Sequence, residues 1–360
     1  MGNSCCLIGD SQVPKMGKNV ILKGPSSTYR TERIIGQGVY GKVVRCKKLD
    51  TKEIVALKIV RKDFKNAGKM EISNMNLLRR LNSDTCNIIK MTDHFVYMQQ
   101  DCLAFEMLDK DLFEYMKDRY FLPMRVPEIR LITQQMLVAL AALKTIGVVH
   151  TDIKPDNIML VNHRLNPFKV KLIDFGIAKQ VSHLRTGSSI QPNSYRAFEV
   201  TLGLPLNEGV DMWGLGCTLA FFYTGGLLFP SDSEYENMRA YVELYGQPEN
   251  YLLNTGLHAK IFFKLTQETP EVIWKLKTPN EYAATIGKQV RKPKASYSLI
   301  KSYDDLERMS PIGKDPDERK DIQAFISLLK QMMALDPNKR ISPSEALRQD
   351  FITVKHLAGS

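Results

Sequence analysis

The sequence predicts a two-lobed α+β protein in which a small antiparallel sheet with one helix precedes a larger, mainly α-helical lobe. Three features lead to this. The chain has 360 residues, 44% of them hydrophobic and 25% charged, which is enough for two packed units of ordinary domain size. Short β-prone runs broken by glycine and polar turns crowd the stretch from Thr31 to Glu106. After Asp109 the apolar residues recur at helical spacing instead.

Residues 1–28 carry small, polar and basic types without periodicity and read as a flexible leader, with order beginning near Tyr29. Arg33–Ile35, Lys42–Cys46 and Ile54–Val60 read as strands, separated by Gly36-Gln37-Gly38 and Leu49-Asp50-Thr51-Lys52. Glu71, Met75 and Leu78 then share one helical face. Met91–Tyr97 and Cys102–Glu106 complete the sheet. In the second lobe Ile129, Ile132, Met136, Leu140 and Leu143 form a helical stripe stopped by Gly147. Val210–Phe222 is apolar nearly all round, which predicts a buried helix. Residues 246–318, rich in Pro, Lys and Asp, read as an irregular insertion before two final helices near Arg319–Met333 and Pro343–Gln349. The second of these opens with Ser342 as N-cap, Pro343 in the first helical position and Glu345 to close a capping box. Residues 353–360 read as a short tail.

The net charge of +11 favours anionic partners such as phosphates, nucleic acid or acidic lipid. No nucleic-acid recognition motif accompanies it. Lys288, Arg291, Lys292, Lys294 and Lys301 fall in one stretch without acidic residues, which reads as a solvated loop or as a nuclear-targeting or docking patch. The six cysteines have neither paired CxxC spacing nor the density of a disulfide scaffold, so an intracellular, reducing compartment is expected. The longest apolar run, Val210–Tyr223, contains Asp211 and falls short of a spanning helix, and no secretory signal opens the chain. The leader offers Gly2 to a myristoyl group and Cys5 and Cys6 to palmitoyl groups, although Cys6 stands where the pattern favours Ser or Thr. Two lipids with Lys15, Lys18 and Lys23 would give peripheral membrane attachment; the alternative is an unmodified leader.

The chemistry concentrates in a few stretches. Gly36-Gln37-Gly38-Val39-Tyr40-Gly41-Lys42-Val43 is a G-x-G-x-x-G-x-V pattern between two expected strands. Glycines there let backbone N–H groups approach phosphate oxygens with no Cβ in the way, although many glycine-rich hairpins bind nothing. A dinucleotide fold would need this pattern to open a helix; here a β-branched strand follows, which disfavours that reading. Val55-Ala56-Leu57-Lys58 sets a lysine inside an apolar run, where a lone lysine ordinarily snorkels to an edge. Glu71 changes this, because a carboxylate on an apolar helix face needs a buried cation and Lys58 is the candidate. Paired, they could place an ammonium on nucleotide phosphates. The second lobe supplies His150-Thr151-Asp152-Ile153-Lys154-Pro155-Asp156-Asn157 and then Ile173-Asp174-Phe175-Gly176.

In this order the motifs resemble the signature set of a protein kinase, over about Tyr29 to Phe351. The resemblance implies a kinase domain over residues 29–352, with an N-lobe of about 29–108 and a C-lobe of about 109–352. A phosphoryl group in transit needs charge neutralisation more than covalent help. Accordingly the resemblance implies that Asp174 and Asn157 hold Mg2+ and that Lys58, paired with Glu71, anchors the α- and β-phosphates of ATP. Asp152 would orient the substrate hydroxyl and accept its proton, and Lys154 would reach the γ-phosphate. Ile35, Gly36, Gly38 and Gly41 would cover the nucleotide, while Val43, Ala56 and Met159 would sandwich adenine. Phe105 would guard the pocket before the Glu106-Met107-Leu108 hinge, where the backbone of Glu106 and Leu108 would bond the base. For these pocket residues core packing is the alternative, and both can hold. Glu199 is implied to pair with Arg340, and Asp211 to brace the backbone near His150, as architecture.

Three stretches are similar to the homeodomain-interacting protein kinases: Phe105-Glu106-Met107-Leu108-Asp109, the run from Tyr195 to Pro205, and Asp211-Met212-Trp213-Gly214-Leu215-Gly216-Cys217. Trp274-Lys275-Leu276-Lys277-Thr278-Pro279 is a weaker match. The chain reads as a short member confined to the kinase domain. Membership of this CMGC-group family implies ATP, Mg2+ and serine or threonine substrates commonly followed by proline. It also implies protein substrates that include transcriptional regulators, and a nuclear or cytoplasmic location. Thr151 stands where most kinases have a phosphate-binding arginine, which this family also lacks. Ser189 holds the position of the activating tyrosine, Asn193 that of an arginine near the substrate's proline pocket, and Phe198 that of a proline. The expectation is a serine/threonine protein kinase. Its rival, a pseudokinase-like scaffold with weak or no turnover, is supported by the altered activation segment and opposed by the full set of motif residues.

Overall fold

The structure, a computed structural model, describes residues 18–229, 233–268, 271–289, 300–309 and 315–357. Its first lobe is one antiparallel sheet in the order β1-β2-β3-β4-β6-β5. The strands are β1 (Ile21–Lys23), β2 (Thr28–Gln37), β3 (Gly41–Lys48), β4 (Ile54–Val60), β5 (Met91–Tyr97) and β6 (Gln100–Glu106). The two-residue period of β4 sets the layout. Val55, Leu57 and Ile59 enter a small core with Leu22, Tyr29, Val44, Cys46, Cys102 and Ala104, so Ala56 and Lys58 face the cleft below. Helix α1 (Lys65–Leu78) buries Glu71, Met75 and Leu78, the face that the spacing predicts.

Order begins before Tyr29, contrary to the reading of 1–28 as a flexible leader. Leu22 is fully buried, and β1 pairs with β2 so that Leu22 lies opposite Tyr29. A three-residue strand is too short for alternation to show in sequence. Gly2, Cys5, Cys6 and Lys15 lie outside the described residues, as do Arg291, Lys292 and Lys294.

The second lobe begins with α2 (Leu112–Asp118), α3 (Val126–Thr145), the short strands β7 (Val148–Val149), β8 (Ile158–Asn162), β9 (Asn166–Leu172) and β10 (Lys179–Gln180), and then α4 (Phe198–Leu202), α5 (Gly209–Thr224) and α6 (Glu234–Tyr245). Helix α3 carries the predicted stripe and ends before Gly147, whose φ of 67° is the left-handed conformation expected there. By length and hydropathy α3 could cross a bilayer, which the sequence reading overlooked; its buried face packs on α5 and β9 as that of a core helix does. Helix α5 is buried on nearly all sides. It ends at Gly225, with φ of 74°, where a side chain would also collide with the Phe121 carbonyl.

Among the described residues the stretch 246–318, expected to be irregular, is largely regular. It holds α7 (Asn250–Thr255), α8 (Ala259–Phe262), a hairpin of β11 (Phe263–Glu268) and β12 (Glu271–Leu276), α9 (Pro279–Ile286) and α10 (Tyr303–Arg308). Helices this short make one or two turns, too few for a repeating stripe to show, yet their apolar residues are spent on packing: Tyr282 stacks on Phe262 with centroids 5.6 Å apart, and Trp274 donates to Asn254 at 2.8 Å. Thr278 and Glu281 form a capping box with Pro279 in the first position, the same signal that marks Ser342. Helices α11 (Pro316–Met332), α12 (Pro343–Ala346) and α13 (Asp350–Thr353) close the lobe. Asp315 caps α11 a few residues ahead of the expected start, and of the expected last helix, Pro343–Gln349, only α12 forms, with α13 beginning beyond it.

Candidate active site

A cavity of about 570 Å3 opens between the lobes. Its roof is the β2–β3 turn, where Gly38 N–H donates to the Gly41 carbonyl at 2.9 Å. At Gly41 a Cβ would collide with the Ile59 carbonyl of β4, so only glycine lets the two strands approach there. Ile35, Gly36, Gly38, Gly41, Val43, Ala56, Phe105, Glu106, Leu108 and Met159, all named from sequence, line this one cavity. Met107, named from sequence as part of the hinge, lines it too, as do Asp111 and Ile173, which were missed. Asp111 had a legible signal, as the N-cap whose carboxylate accepts the Glu114 N–H at 2.8 Å.

Lys58 Nζ lies 2.7 Å from Glu71 Oε1 and 3.0 Å from Asp174 Oδ1. The ladder places Lys58 opposite Val43 on β3, and α1 turns Glu71 to meet it. Burial pushes the Lys58 pKa down, but the charges of Glu71 and Asp174 outweigh it and the net shift is upward. Burial raises the pKa of Glu71 against the pull of Lys58. For Asp174 burial pushes up while the Lys58 charge and hydrogen bond pull down, and the pull prevails. The ammonium thus stays charged in a half-closed site.

Below the trio, Asp152 accepts from Lys154 Nζ at 2.9 Å and from Asn157 Nδ2 at 2.8 Å. Asn157 Nδ2 also bonds the Asp152 carbonyl at 2.8 Å, which leaves its amide oxygen free to turn elsewhere. Asp211, at the start of α5, accepts the backbone N–H groups of His150 and Thr151 at 2.7 and 2.8 Å. A second cavity of about 470 Å3 is lined by Lys58, Asp152, Lys154 and Asp174 together with Ser189–Pro192. Asn74 on α1, missed from sequence, donates to the carbonyls of Phe175 and Ala178 at 2.8 and 2.9 Å and ties that helix to the segment after Asp174.

Among the described residues no group of three or more His, Cys, Asp or Glu has the arrangement of a metal cage. One carboxylate, Asp174, and one amide, Asn157, would instead offer the small set of oxygen donors that a Mg2+ ion completes with substrate phosphates and water. The donor set fits that ion.

The sequence matches the protein kinase domain family over residues 29–352. The chain belongs to the protein kinase family. Homeodomain-interacting protein kinase 2 of Mesocricetus auratus is 37% identical over 344 residues, covering 94% of this chain and 29% of that protein. Homeodomain-interacting protein kinase 1 of Caenorhabditis elegans is 37% identical over 357 residues, or 95% of this chain and 42% of that protein. Homeodomain-interacting protein kinase 4 of Homo sapiens is 34% identical over 352 residues, or 93% and 57%. The chain therefore spans between about a third and somewhat over half of these relatives. The two-lobed kinase fold and the resemblance to homeodomain-interacting kinases read from the motifs are both borne out.

The kinase activation segment is held by side chains of its own and of the helical lobe around it. Arg340 grips Glu199 with two hydrogen bonds of 2.6 and 2.8 Å, both side chains buried. Phe198, in place of the usual proline, is fully buried edge-on against Tyr241. Gln191 donates to the Val210 carbonyl at 2.8 Å and accepts the Ala197 N–H at 3.0 Å. Arg196 donates to the carbonyls of Ile190 and Gln191 at 3.1 and 2.9 Å and to Glu234 at 2.6 Å. Asn193, the position read from sequence as that of an arginine near the substrate's proline pocket, accepts from Asn237 through its carbonyl at 2.6 Å. Tyr195 is buried, and burial raises its pKa far above the ordinary phenol value. Ser189 is exposed at the mouth of the second cavity.

Proposed function

We propose that this chain transfers the γ-phosphoryl group of Mg·ATP to serine and threonine hydroxyls of protein substrates. The observation that carries the reading is the joining of Lys58 to both Glu71 and Asp174 above Asp152, Lys154 and Asn157, around connected cavities. Bound Mg2+ would neutralise phosphate charge, with Asp174 and Asn157 as its protein ligands. Lys58, kept charged by its two carboxylates, would hold the α- and β-phosphates. Asp152, oriented by Asn157, would accept the hydroxyl proton, and Lys154 would stabilise charge on the group in transit. The glycine turn would cover the phosphates, and Val43, Ala56 and Met159 would enclose the adenine.

Preference for a following proline rests on Arg196. With the Gln191 carbonyl already engaged, a substrate amide beside it finds no acceptor and loses its water; proline has no N–H to lose. The relatives' names refer to homeodomain proteins, and transcriptional regulators in the nucleus or cytoplasm are the partner class that likeness supports. A scaffold without turnover is less well supported, because Phe198 is absorbed by packing and each motif side chain has its partner.

The test is purified protein with labelled ATP and a peptide library, with and without chelator, beside Asp152→Asn. Transfer by the natural protein that needs divalent metal and disappears in the variant supports the assignment. Equal incorporation by both proteins overturns it.

A further inference from the structure

Lys171 lies on β9 and is assigned no part in the chemistry above, yet its side chain is only 3% exposed. Burying an ammonium is unfavourable unless its three donors are matched. Here all three are: Nζ lies 2.7 Å from Asp84 Oδ1 and 2.7 and 2.9 Å from the two oxygens of Glu106. Glu106 Oε1 also accepts the Lys90 N–H at 2.8 Å, and the Glu106 N–H donates to the Lys90 carbonyl at 3.1 Å. Asp84 sits on the surface end of the cluster, with its pKa lowered by the hydrogen bond from Lys171. The loop that carries Asp84 and Lys90 is itself tied to β9, through Leu172 N–H to the Asn87 carbonyl at 2.8 Å and Ile89 N–H to the Leu172 carbonyl at 3.0 Å.

One ammonium therefore joins a strand of the second lobe, a loop of the first, and the residue at which β6 runs into the hinge. On one side of it, Met107 and Leu108 follow Glu106 along the rim of the nucleotide cavity. On the other, Met159 stands directly opposite Lys171 in the β8–β9 ladder and lines the same cavity. Lys171 touches neither slot nor ligand, but it is linked to both walls between which the base would lie.

We infer that Lys171 is a positioning residue for the nucleotide base, holding the Glu106 carboxylate inward so that the hinge backbone keeps its line along the cavity. The inference rests on the nucleotide reading of that cavity. Without the ammonium, the half-buried carboxylate would turn toward water and draw the hinge backbone with it. The phosphates, held by Lys58 and the metal ligands, would be unaffected, as would a peptide bound to the second lobe. Base affinity and phosphate chemistry should therefore separate, which simple loss of stability would not produce.

The experiment uses the full chain as Lys171→Met, Lys171→Arg and Glu106→Gln, with kcat, KM for ATP, KM for peptide and calorimetric binding of adenosine. Lys171→Met should raise both KM for ATP and the adenosine Kd about tenfold, the weight of one lost charged hydrogen bond, with peptide KM and kcat changed little. Lys171→Arg should recover most of the affinity, because its guanidinium can still reach both carboxylates. Glu106→Gln keeps the shape and removes the charge, so it should show a smaller loss with the same pattern, and it carries the test if Lys171→Met does not fold. ATP and adenosine affinities at the natural value in the folded variants would overturn the inference, as would a parallel fall in all parameters that tracks melting temperature. A natural protein that neither binds adenosine nor transfers phosphate would bring down the kinase reading and this inference together; an active natural protein with indifferent variants brings down this inference alone.

Discussion

Asp211→Asn is the substitution from which the structure predicts most. Asp211 is buried and accepts two backbone N–H groups, from His150 at 2.7 Å and Thr151 at 2.8 Å. Burial pushes its pKa up against the opposing pull of His150 and these amides. Asparagine keeps the shape but has one acceptor oxygen, so its NH2 group must face one of the two donors. The loss of one charge-assisted bond, about 1.5–3 kcal/mol, and the stranding of a buried N–H, about 1–3 kcal/mol, together come to roughly 2.5–6 kcal/mol. At about 2–4 °C per kcal/mol for a domain of this order of size, melting should fall by roughly 5–24 °C. The kinetic effect follows from Thr151, whose φ of 66° is an outlier for a β-branched residue. Such a conformation costs about 1–3 kcal/mol and persists only where its surroundings over-determine it. Here Asp211 and the bond from Thr151 Oγ1 to the Ile177 carbonyl, 3.0 Å, do so. With one brace gone the loop relaxes and carries Asp152 with it, and a displacement approaching 1 Å at the reacting centre costs about 10²-fold in kcat. Circular dichroism melting and steady-state kinetics at saturating ATP are the assays. A variant with natural kcat and natural melting temperature would refute the bracing role of Asp211.

Lys58→Met and Asp174→Asn should each abolish phosphoryl transfer while the protein still melts cooperatively, because Lys58 and Asp174 face the cavity rather than the core; natural turnover in either would remove its assigned role. Glu71 has a raised pKa in the fold, so the acid limb of kcat/KM should lie above the ordinary glutamate value near 4.5. Protonation of Glu71 is favoured by the folded state, so it adds stability as pH falls, whereas Asp174, with its lowered pKa, stabilises above the ordinary aspartate value and loses that contribution only below it. Activity should therefore fail at higher pH than folding does, and coincident activity and melting profiles would contradict this. Arg196→Lys should weaken selection of a following proline in a peptide library, since an ammonium cannot serve both carbonyls and Glu234 with the geometry of a guanidinium. Asn193→Arg should leave that selection unchanged, and the opposite pattern would return the role to position 193.

The fold was legible wherever an element was long enough for its period to show. The helices around Met75 and Met136 and the strand Ile54–Val60 repeat their pattern over several residues, and the structure has them in place. The strand Ile21–Lys23 and the short helices after Tyr245, eight residues at most, repeat a period too few times for it to stand out, and their placement is set by partners in neighbouring elements such as Tyr29 and Phe262. Leu252, Trp274 and Tyr282 were visible as apolar residues, but the surrounding Pro and Lys hid that they were core.

The site divides along a different line. Lys58, Glu71, Asp152, Asn157 and Asp174 are recognisable because the chemistry demands a particular side chain, so a motif survives in sequence. Ile173 meets the cavity beside a residue that carries a motif, with no side-chain chemistry of its own to mark it. Asn74 and Lys171 are hidden for a third reason. Each has a polar side chain whose purpose is defined only by its partners, 101 residues away at Phe175 for Asn74 and 87 and 65 residues away at Asp84 and Glu106 for Lys171. A lysine in a strand reads as a surface residue until two carboxylates are placed around it. Since an unpaired ammonium could not remain at that depth, the two carboxylates are a condition of the strand's register as well as its ornament, and the same bonds that fix Lys171 in β9 fix the hinge.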